Sequence, residues 1–366
     1  MALLFTRRDP TTGLSFWPNS RLGHLPGDSL LESTTHIPRA LDNVLKFQQE
    51  MYHRHGSVHR NNPPGVQYVS LLGPEANQFG LNDPDELLSS RLGWYPAIGK
   101  LFQGGLMLRD GEEHLHHRRI MQQAFKQRAM AGYLATFNTA IGPAIEHWGT
   151  LPDPRIYQMV KEHTLQMVSD VLLGIKLGPE IDEINDALQH VVEAAITWNR
   201  FPLVGRTNAR GLKGRRFLTK YFRQLIRERK SNPGTDVLSR FCTAENESGE
   251  KFNDDDIIAH AIFLIMAAHD TMTSAMTSVI AALASDVRLQ ESIREECRRF
   301  SPSGPTHADL ALMTLTESVF YESLRLYAPL PVIARRALRS FEFGGYEIPR
   351  NAMIAIGVGF THHMPE

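Results

Sequence analysis

The chain has 366 residues, enough to bury a sizeable hydrophobic core. It carries 39 Lys and Arg against 40 Asp and Glu, so no global electric field favours nucleic acid or an anionic membrane as a partner. The two cysteines, Cys242 and Cys297, are too few for a disulfide framework and do not have the spacing of a zinc site. The composition excludes a secreted disulfide scaffold and predicts a cytoplasmic protein.

Hydrophobic stretches long enough for a membrane are also lacking. The N-terminus has only a short apolar run before Arg7 and Arg8, unlike a signal peptide or an anchor. The longest later apolar run, residues 261–268, is far shorter than the ~20 residues that cross a bilayer. We therefore expect no transmembrane anchor.

Helical patterns dominate the chain. Residues 1–40 are rich in Pro, Gly, Ser and Thr and predict an irregular leader. Apolar residues at three-to-four spacing then predict helices over 41–55, 111–130, 131–148, 157–173, 179–198, 217–230, 254–285, 286–300 and 315–327. A basic, glycine-containing segment, 206–216, is expected to be a linker before the helix that starts at residue 217.

Strand signals are few. Residues 66–72 predict a short strand, and FEFGGYEIP predicts a hairpin around Gly344 and Gly345. Residues 353–360 predict one more strand. The fold class is therefore mainly α with a small β region, in a single domain over 1–366.

An acid and an alcohol, Asp270 and Thr271, stand at the centre of the helix predicted over 254–285. This helix has no Gly or Pro, three Asp in its first turn and apolar residues nearly all round, which predicts burial. Because an unpaired buried carboxylate costs several kcal/mol, the pair predicts an active-site groove. The alternative is that the Asp is capped and the Thr bonds to its own helix.

A second acid–base pair, Glu322 and Arg325, lies three residues apart on one face of a later helix. Taken alone, such a pair is typical of a solvated surface. The flank is more informative, since the helix ends at two prolines and runs into Arg335 and Arg336.

Several motifs in order resemble those of the cytochrome P450 family. Residues 267–272 are similar to the oxygen-groove motif of its long central helix, and residues 322–325 to its Glu-x-x-Arg motif. The hairpin, with Arg335 ten residues before its second glycine, matches the family's order. Upstream, His114 and Arg118 in DGEEHLHHRRIMQQAF resemble the pair that approaches the haem propionates.

The resemblance implies the P450 fold, a triangular helical domain with a small β-sheet domain, and haem b (iron protoporphyrin IX) as cofactor. It implies a haem-thiolate monooxygenase that inserts one oxygen atom of O2 into a hydrophobic organic substrate. A flat apolar ring with two carboxylates needs a dry slot and basic or hydrogen-bonding groups at one edge. His114, Arg118 and Arg335 are expected at that edge.

The resemblance also assigns roles at the centre of the long helix. Thr271 is expected to hold a proton-donating water network, and Asp270 to relay protons from solvent. Ala267 and Ala268 are expected to border the cofactor and leave room for dioxygen. Glu322 and Arg325 are expected to buttress the haem-binding core.

This sequence departs from the family's pattern at three places. Ala268 stands where Gly is usual, and Met272 where a second Thr is usual. The proximal cysteine ligand is expected beyond Glu366, because Cys242 and Cys297 lack the glycine-containing loop that surrounds it. The expectation is a chain truncated before its metal ligand, which as given is inactive.

Substrate and partner expectations follow from the same resemblance. Residues 92–106 and 198–204, with Val332 and Ile333, are expected to line a pocket for a lipid, terpenoid or steroid. A ferredoxin with its ferredoxin reductase is the expected electron donor, docking near Arg118, Arg119, Lys126 and Arg128. No nucleic acid partner is expected.

Two alternatives stay open. One is a haem-free helical binding protein on the same scaffold, and the other is an enzyme of this fold that uses peroxide or isomerises its substrate. A di-iron site at Glu113 and His116 is not favoured, because it requires a second Glu-x-x-His motif that the sequence does not supply.

Overall fold

The computed structural model describes residues 8–175, 179–196, 206–246 and 248–365. These residues form two compact units. The first unit contains the described residues up to Gly99 and those from Arg325 onward, and the second runs from Lys100 to Leu324.

The described elements are mostly helical. In chain order the helices are α1 (Leu30–Asp42), α2 (Val44–His55), α3 (Pro74–Asn82), α4 (Ser90–Ile98), α5 (Gly111–Gln122), α6 (Gln127–Thr150), α7 (Ile156–Leu173), α8 (Pro179–Ile196), α9 (Arg206–Ser231), α10 (Val237–Thr243), α11 (Asp254–Ser285), α12 (Val287–Cys297), α13 (Thr314–Leu326) and α14 (Val358–Thr361). The strands are β1 (Val58–Asn61), β2 (Tyr68–Leu71), β3 (Leu88–Ser89), β4 (Ile333–Ala337), β5 (Phe341–Phe343), β6 (Tyr346–Ile348) and β7 (Met353–Ile356). Short 3₁₀ turns occupy Leu106–Leu108, Gln123–Phe125 and Asp309–Leu312.

The first unit is built on a five-stranded sheet in the order β1-β2-β7-β4-β3. Strands β2 and β7 pair in parallel, with Val69 opposite Ile354, and the other neighbours pair antiparallel. Val69, Leu71, Ile354 and Ile356 are fully buried, so the central pair of strands forms the core of this unit. Strands β5 and β6 form the hairpin predicted around Gly344 and Gly345.

A buried arginine, Arg336 on β4, joins separate segments of the first unit. It is 0% exposed, and its guanidinium donates to the Asn351 Oδ1 (2.9 Å), the Leu92 carbonyl (3.0 Å) and the Ser15 carbonyl (3.3 Å). Burial lowers the pKa of Arg336 to about 10. One side chain thus ties the N-terminal segment and α4 to the sheet.

The second unit contains the long helix α11. Its N-cap is Asn253, whose side chain accepts from the Asp256 amide, and three Asp follow in the first turn. The helix is fully buried from Ile257 to Phe263 and becomes half-exposed in its second half. By length and composition α11 could cross a membrane, and half of its most apolar window is buried inside the protein.

Several sequence-based boundaries were wrong, among them that of the strand predicted over 353–360, which ends at Ile356 and is followed by α14. The expected leader over 1–40 already contains α1, because Ser29 and Glu32 form a capping box that starts a helix at Leu30. The expected linker 206–216 is the first part of α9, where Gly211 and Gly214 allow close approach to α8. The predicted helix over 111–130 ends at Gln122, and α6 begins after Lys126, whose backbone is extended.

Replacing Arg336 by Met is expected to lower the free energy of unfolding by about 3 kcal/mol, because three buried acceptors lose their donor. The matched control is Arg339→Met, since exposed Arg339 donates to a single carbonyl, that of Asp85. Denaturant titration of both variants measures the difference. Equal destabilisation by the two substitutions would contradict the role of Arg336.

Candidate active site

The acid–alcohol pair lies on a solvent-accessible part of α11. The Asp270 side chain is 46% exposed and Thr271 is exposed as well, so the prediction that the pair is buried was wrong. The Thr271 Oγ1 donates to the Ala267 carbonyl at 2.7 Å, which confirms the alternative of a bond to its own helix. Because the hydroxyl hydrogen is used in this bond, the oxygen of Thr271 can still accept a hydrogen bond.

His269 connects this pair to α7. Its Nε2 lies 3.0 Å from the Lys161 carbonyl, which can only accept, so this nitrogen is the donor. Its Nδ1 lies 3.5 Å from the Asp270 Oδ1. Burial lowers the pKa of His269, in spite of the opposing effects of the Lys161 carbonyl and Asp270. The Nε2 bond therefore ties the His269 ring to α7, and the Nδ1 of the ring lies on the side of the Asp270 carboxyl.

The surroundings of Asp270 and Thr271 on α11 are largely apolar and only partly covered. Ala267, Ala268 and Met272 are half-buried, and Met276 is 41% exposed. An apolar surface that stays accessible around one acid and one alcohol has the chemistry expected of a wall against which a flat apolar ring could pack.

His114 and Arg118 lie one turn apart on α5, in the same unit as α11. His114 is half-buried and Arg118 is exposed. Burial, and then the charge of Arg118, lower the pKa of His114, which favours a neutral ring beside a permanent cation. A neutral N–H donor beside a guanidinium suits the recognition of a carboxylate.

The other predicted residues of the haem-binding core lie around β4 and α13. Arg335 is half-buried on β4, and one guanidinium nitrogen donates to the Ala334 carbonyl at 3.0 Å. Glu322 and Arg325 both belong to α13, as the sequence predicts, and Arg325 donates to the His362 carbonyl at 2.5 Å. The start of α13 is held by Glu296, which accepts from the Leu315 and Thr316 amides at 2.9 Å.

Neither cysteine is placed as an activated thiolate. Cys242 is half-buried on α10, and burial raises the pKa of its thiol to about 11. Cys297 is exposed at the end of α12.

The comparisons with known proteins agree on one family. The family model "Cytochrome P450" matches residues 29–366. The chain is 32% identical over 354 residues to cytochrome P450 136 of Mycobacterium tuberculosis, an alignment that covers 95% of this chain and 72% of that protein. It is 22% identical over 340 residues to beta-amyrin 28-monooxygenase of Medicago truncatula, covering 89% and 69%.

A solved structure has the same fold. The retinoic acid-bound cyanobacterial CYP120A1 superposes with a TM-score of 0.78 at 21% identity, covering 87% of this chain and 73% of that one. The chain belongs to the cytochrome P450 family. The predicted family and fold class are thereby confirmed, and a monooxygenase role that uses haem follows from the family.

Sequence analysis missed a group of buried polar residues at the start of α11. Asp256 was interpreted only as one of three acids that favour a helix N-terminus, yet it also pairs with Arg109 at 2.6 Å. His117 and His260, 143 residues apart, are hydrogen-bonded at 2.9 Å. No local pattern signals a pairing over such a separation.

Thiol labelling is expected to distinguish the two cysteines. In the native protein Cys297 reacts quickly, whereas the pKa of about 11 leaves Cys242 with about 100-fold less thiolate than its ordinary pKa of 9.0 would. Mass spectrometry after timed alkylation at pH 8 measures both rates. Labelling of the Cys297→Ser variant isolates Cys242, and rapid alkylation there in the folded state would contradict this assignment.

Proposed function

We propose that this protein inserts one oxygen atom of O2 into a hydrophobic organic molecule, with haem b as its cofactor. Family membership and the relationship to a named monooxygenase support the class of reaction. The observation that carries the proposal is the exposed Asp270–Thr271 pair beside the accessible apolar side chains of α11.

The residues present fit a haem. Bound haem supplies the iron at which dioxygen is activated. His114 and Arg118 on α5, and Arg335 on β4, are the proposed partners of its propionates, since each offers N–H donors and two carry a permanent charge. Ala267 and Ala268 are the proposed contacts of the ring on α11, because their small side chains allow close packing.

Thr271 and Asp270 are the proposed catalytic residues. The bond from Thr271 to the Ala267 carbonyl fixes its hydroxyl and leaves the oxygen to accept from a water molecule. Asp270 is accessible enough to exchange protons with solvent. Together they would order water and move protons along one surface of α11.

The substrate class follows from apolar surfaces and from the family. One relative's name refers to beta-amyrin, a large apolar molecule, which supports a hydrophobic substrate. Within the segment 92–106, Leu92 and Phe102 are fully buried, so half-buried Trp94 and Tyr95 are better candidates for substrate contact. Val332 and Ile333 are also half-buried, and residues 198–204 lie outside the described residues.

The proposed electron donor is a ferredoxin with its ferredoxin reductase. Family membership implies a redox partner, and a set of exposed cations offers an anionic protein a docking surface: Arg118, Arg119, Lys126 and Arg128. A cytoplasmic location is part of this proposal, since the two unpaired cysteines fit a reducing compartment.

The chain as printed is expected to give no haem-thiolate spectrum, because Cys242 is a half-buried thiol of raised pKa and Cys297 lies on an exposed helix end. The measurement is the carbon monoxide difference spectrum of the reduced, haem-loaded chain. A thiolate-type absorption band would overturn this expectation, and its loss in Cys242→Ser or Cys297→Ser would identify the ligand.

Replacing Thr271 by Ala is expected to lower severalfold the ratio of product formed to electrons consumed, since the water acceptor is lost. The control is Thr277→Ala, because Thr277 on the same helix also bonds to its own backbone and is half-buried. Both are measured on haem-loaded protein that has first been shown to consume electrons from a donor. Unchanged coupling in Thr271→Ala would count against the monooxygenase and favour a binding protein or an isomerase.

A further inference from the structure

Three buried side chains of the second unit form a continuous hydrogen-bonded chain. One guanidinium nitrogen of Arg109 lies 2.8 Å from the His117 Nε2, and the His117 Nδ1 lies 2.9 Å from the His260 Nε2. Arg109 is 8% exposed, His117 6% and His260 0%. We call this the Arg109–His117–His260 chain.

Chemistry fixes the direction of this chain. Arginine can only donate, so the His117 Nε2 must accept and its proton must be on Nδ1. His117 then donates to the His260 Nε2, which places the proton of His260 on Nδ1 as well. One guanidinium therefore determines the tautomers of two histidines.

The groups packed around the two rings keep them neutral. Arg109 is balanced by Asp256 and Glu113, at 2.6 and 2.5 Å, while Phe252 stacks on His117 and tilts against His260. Burial is the largest cause that lowers the pKa of His117 to about 4 and of His260 to about 3, and the charge of Arg109 adds to it. His116 lowers, and Asp256 and Glu113 raise, the pKa of His117 by smaller amounts.

The Arg109–His117–His260 chain joins three segments of the protein. Arg109 precedes α5 and also donates to the Gly104 carbonyl at 3.0 Å, His117 lies on α5, and His260 lies on α11. The last atom of this hydrogen-bonded chain is the His260 Nδ1, a buried atom with no hydrogen-bond partner in the described part of the protein. A network that leaves a donor unpaired is poorly suited to add stability, whereas it does specify one geometry.

We propose that the Arg109–His117–His260 chain is a positioning device that holds α5 in one rotation on α11, so that His114 and Arg118 are presented to the haem propionates. His117 lies one turn after His114 and directly before Arg118, so a rotation of α5 about its axis would displace both. The haem part of this inference rests on the proposed function. The geometric part stands on the contacts alone.

The first test is the tautomeric state. In the protein labelled with 15N-histidine, long-range 1H–15N spectra at pH 7 are expected to show Nδ1–H for both His117 and His260. Assignment uses His117→Gln and His260→Gln, each of which removes one ring. An Nε2–H form of both rings would overturn the proposal, because it contradicts the direction that Arg109 imposes.

The second test compares two substitutions at one position. Gln at residue 117 offers an oxygen to Arg109 and an N–H to His260, whereas Leu offers neither. His117→Leu is expected to speed amide hydrogen exchange of α5 by about fivefold or more and to weaken haem binding by about tenfold, with His117→Gln close to the parent. His163→Leu is the control, since His163 is another partly buried histidine of this unit and lies on α7.

The outcomes separate this inference from the proposed function. Parent-like exchange and haem affinity in His117→Leu, or equal damage by Leu and Gln, would overturn the positioning role. If His117→Leu does not fold, the tautomer spectra and His117→Gln still decide. If the parent chain does not take up haem, the proposed function fails, while the exchange rates of α5 still test the positioning of the helix.

Discussion

The second unit is organised around the need to cover helix α11. This 32-residue helix is apolar on nearly every side, so other elements must pack against it. It is buried from Ile257 to Phe263, and the polar side chain within that stretch, His260, has a partner on another element. His260 bonds to His117, and further along the Thr273 hydroxyl lies 2.8 Å from that of Thr164. Polar atoms are tolerated within such a helix when a neighbour satisfies them.

Asp270 and Thr271 differ from these groups, since the helix leaves them accessible. Among the described residues, the Asp270 carboxyl lies 3.5 Å from the Nδ1 of His269, and the Thr271 hydroxyl donates to the Ala267 carbonyl of its own helix. His260 and Thr273 of α11 form hydrogen bonds to neighbouring helices. Asp270 and Thr271 remain accessible to water, which is the arrangement that proton movement requires.

Local signals account for much of what the sequence could predict. The bounds of α11 were predicted to the residue, because periodicity, an acidic first turn and the absence of Gly and Pro all agree. The segment 206–216 was misjudged for the opposite reason. Glycine usually marks a loop, but Gly214 faces the Ala187 carbonyl, where a Cβ would lie 2.5 Å away, so there it permits helix packing.

Non-local pairing explains what sequence reasoning missed. Burial of Asp270 was predicted from the apolar character of α11. The exposed fraction of a side chain, however, depends on which other elements cover that turn of the helix, and the periodicity of the sequence does not show this. Asp256 lies 147 residues from Arg109, and the family motif identifies neither of them. The motifs name His114, Arg118 and Thr271 as candidates because each motif is local. They do not identify Arg109, His117 and His260, whose hydrogen bonds join distant parts of the sequence.

The two buried arginines, Arg336 and Arg109, differ in the groups that accept their hydrogen bonds. Arg336 is fully buried with a side-chain amide and carbonyl oxygens as its hydrogen-bond acceptors, whereas Arg109 has two carboxylates and an imidazole in addition to one carbonyl. Dipoles suffice to hold Arg336 inside the first unit, at the cost of a lowered pKa. The carboxylates of Asp256 and Glu113 stabilise the charge of Arg109, and the nitrogen that donates to Glu113 also donates to His117, which sets the direction of the bonds through two neutral histidines. A charge that is fully compensated can thus set hydrogen-bond direction, and through it the orientation of a helix.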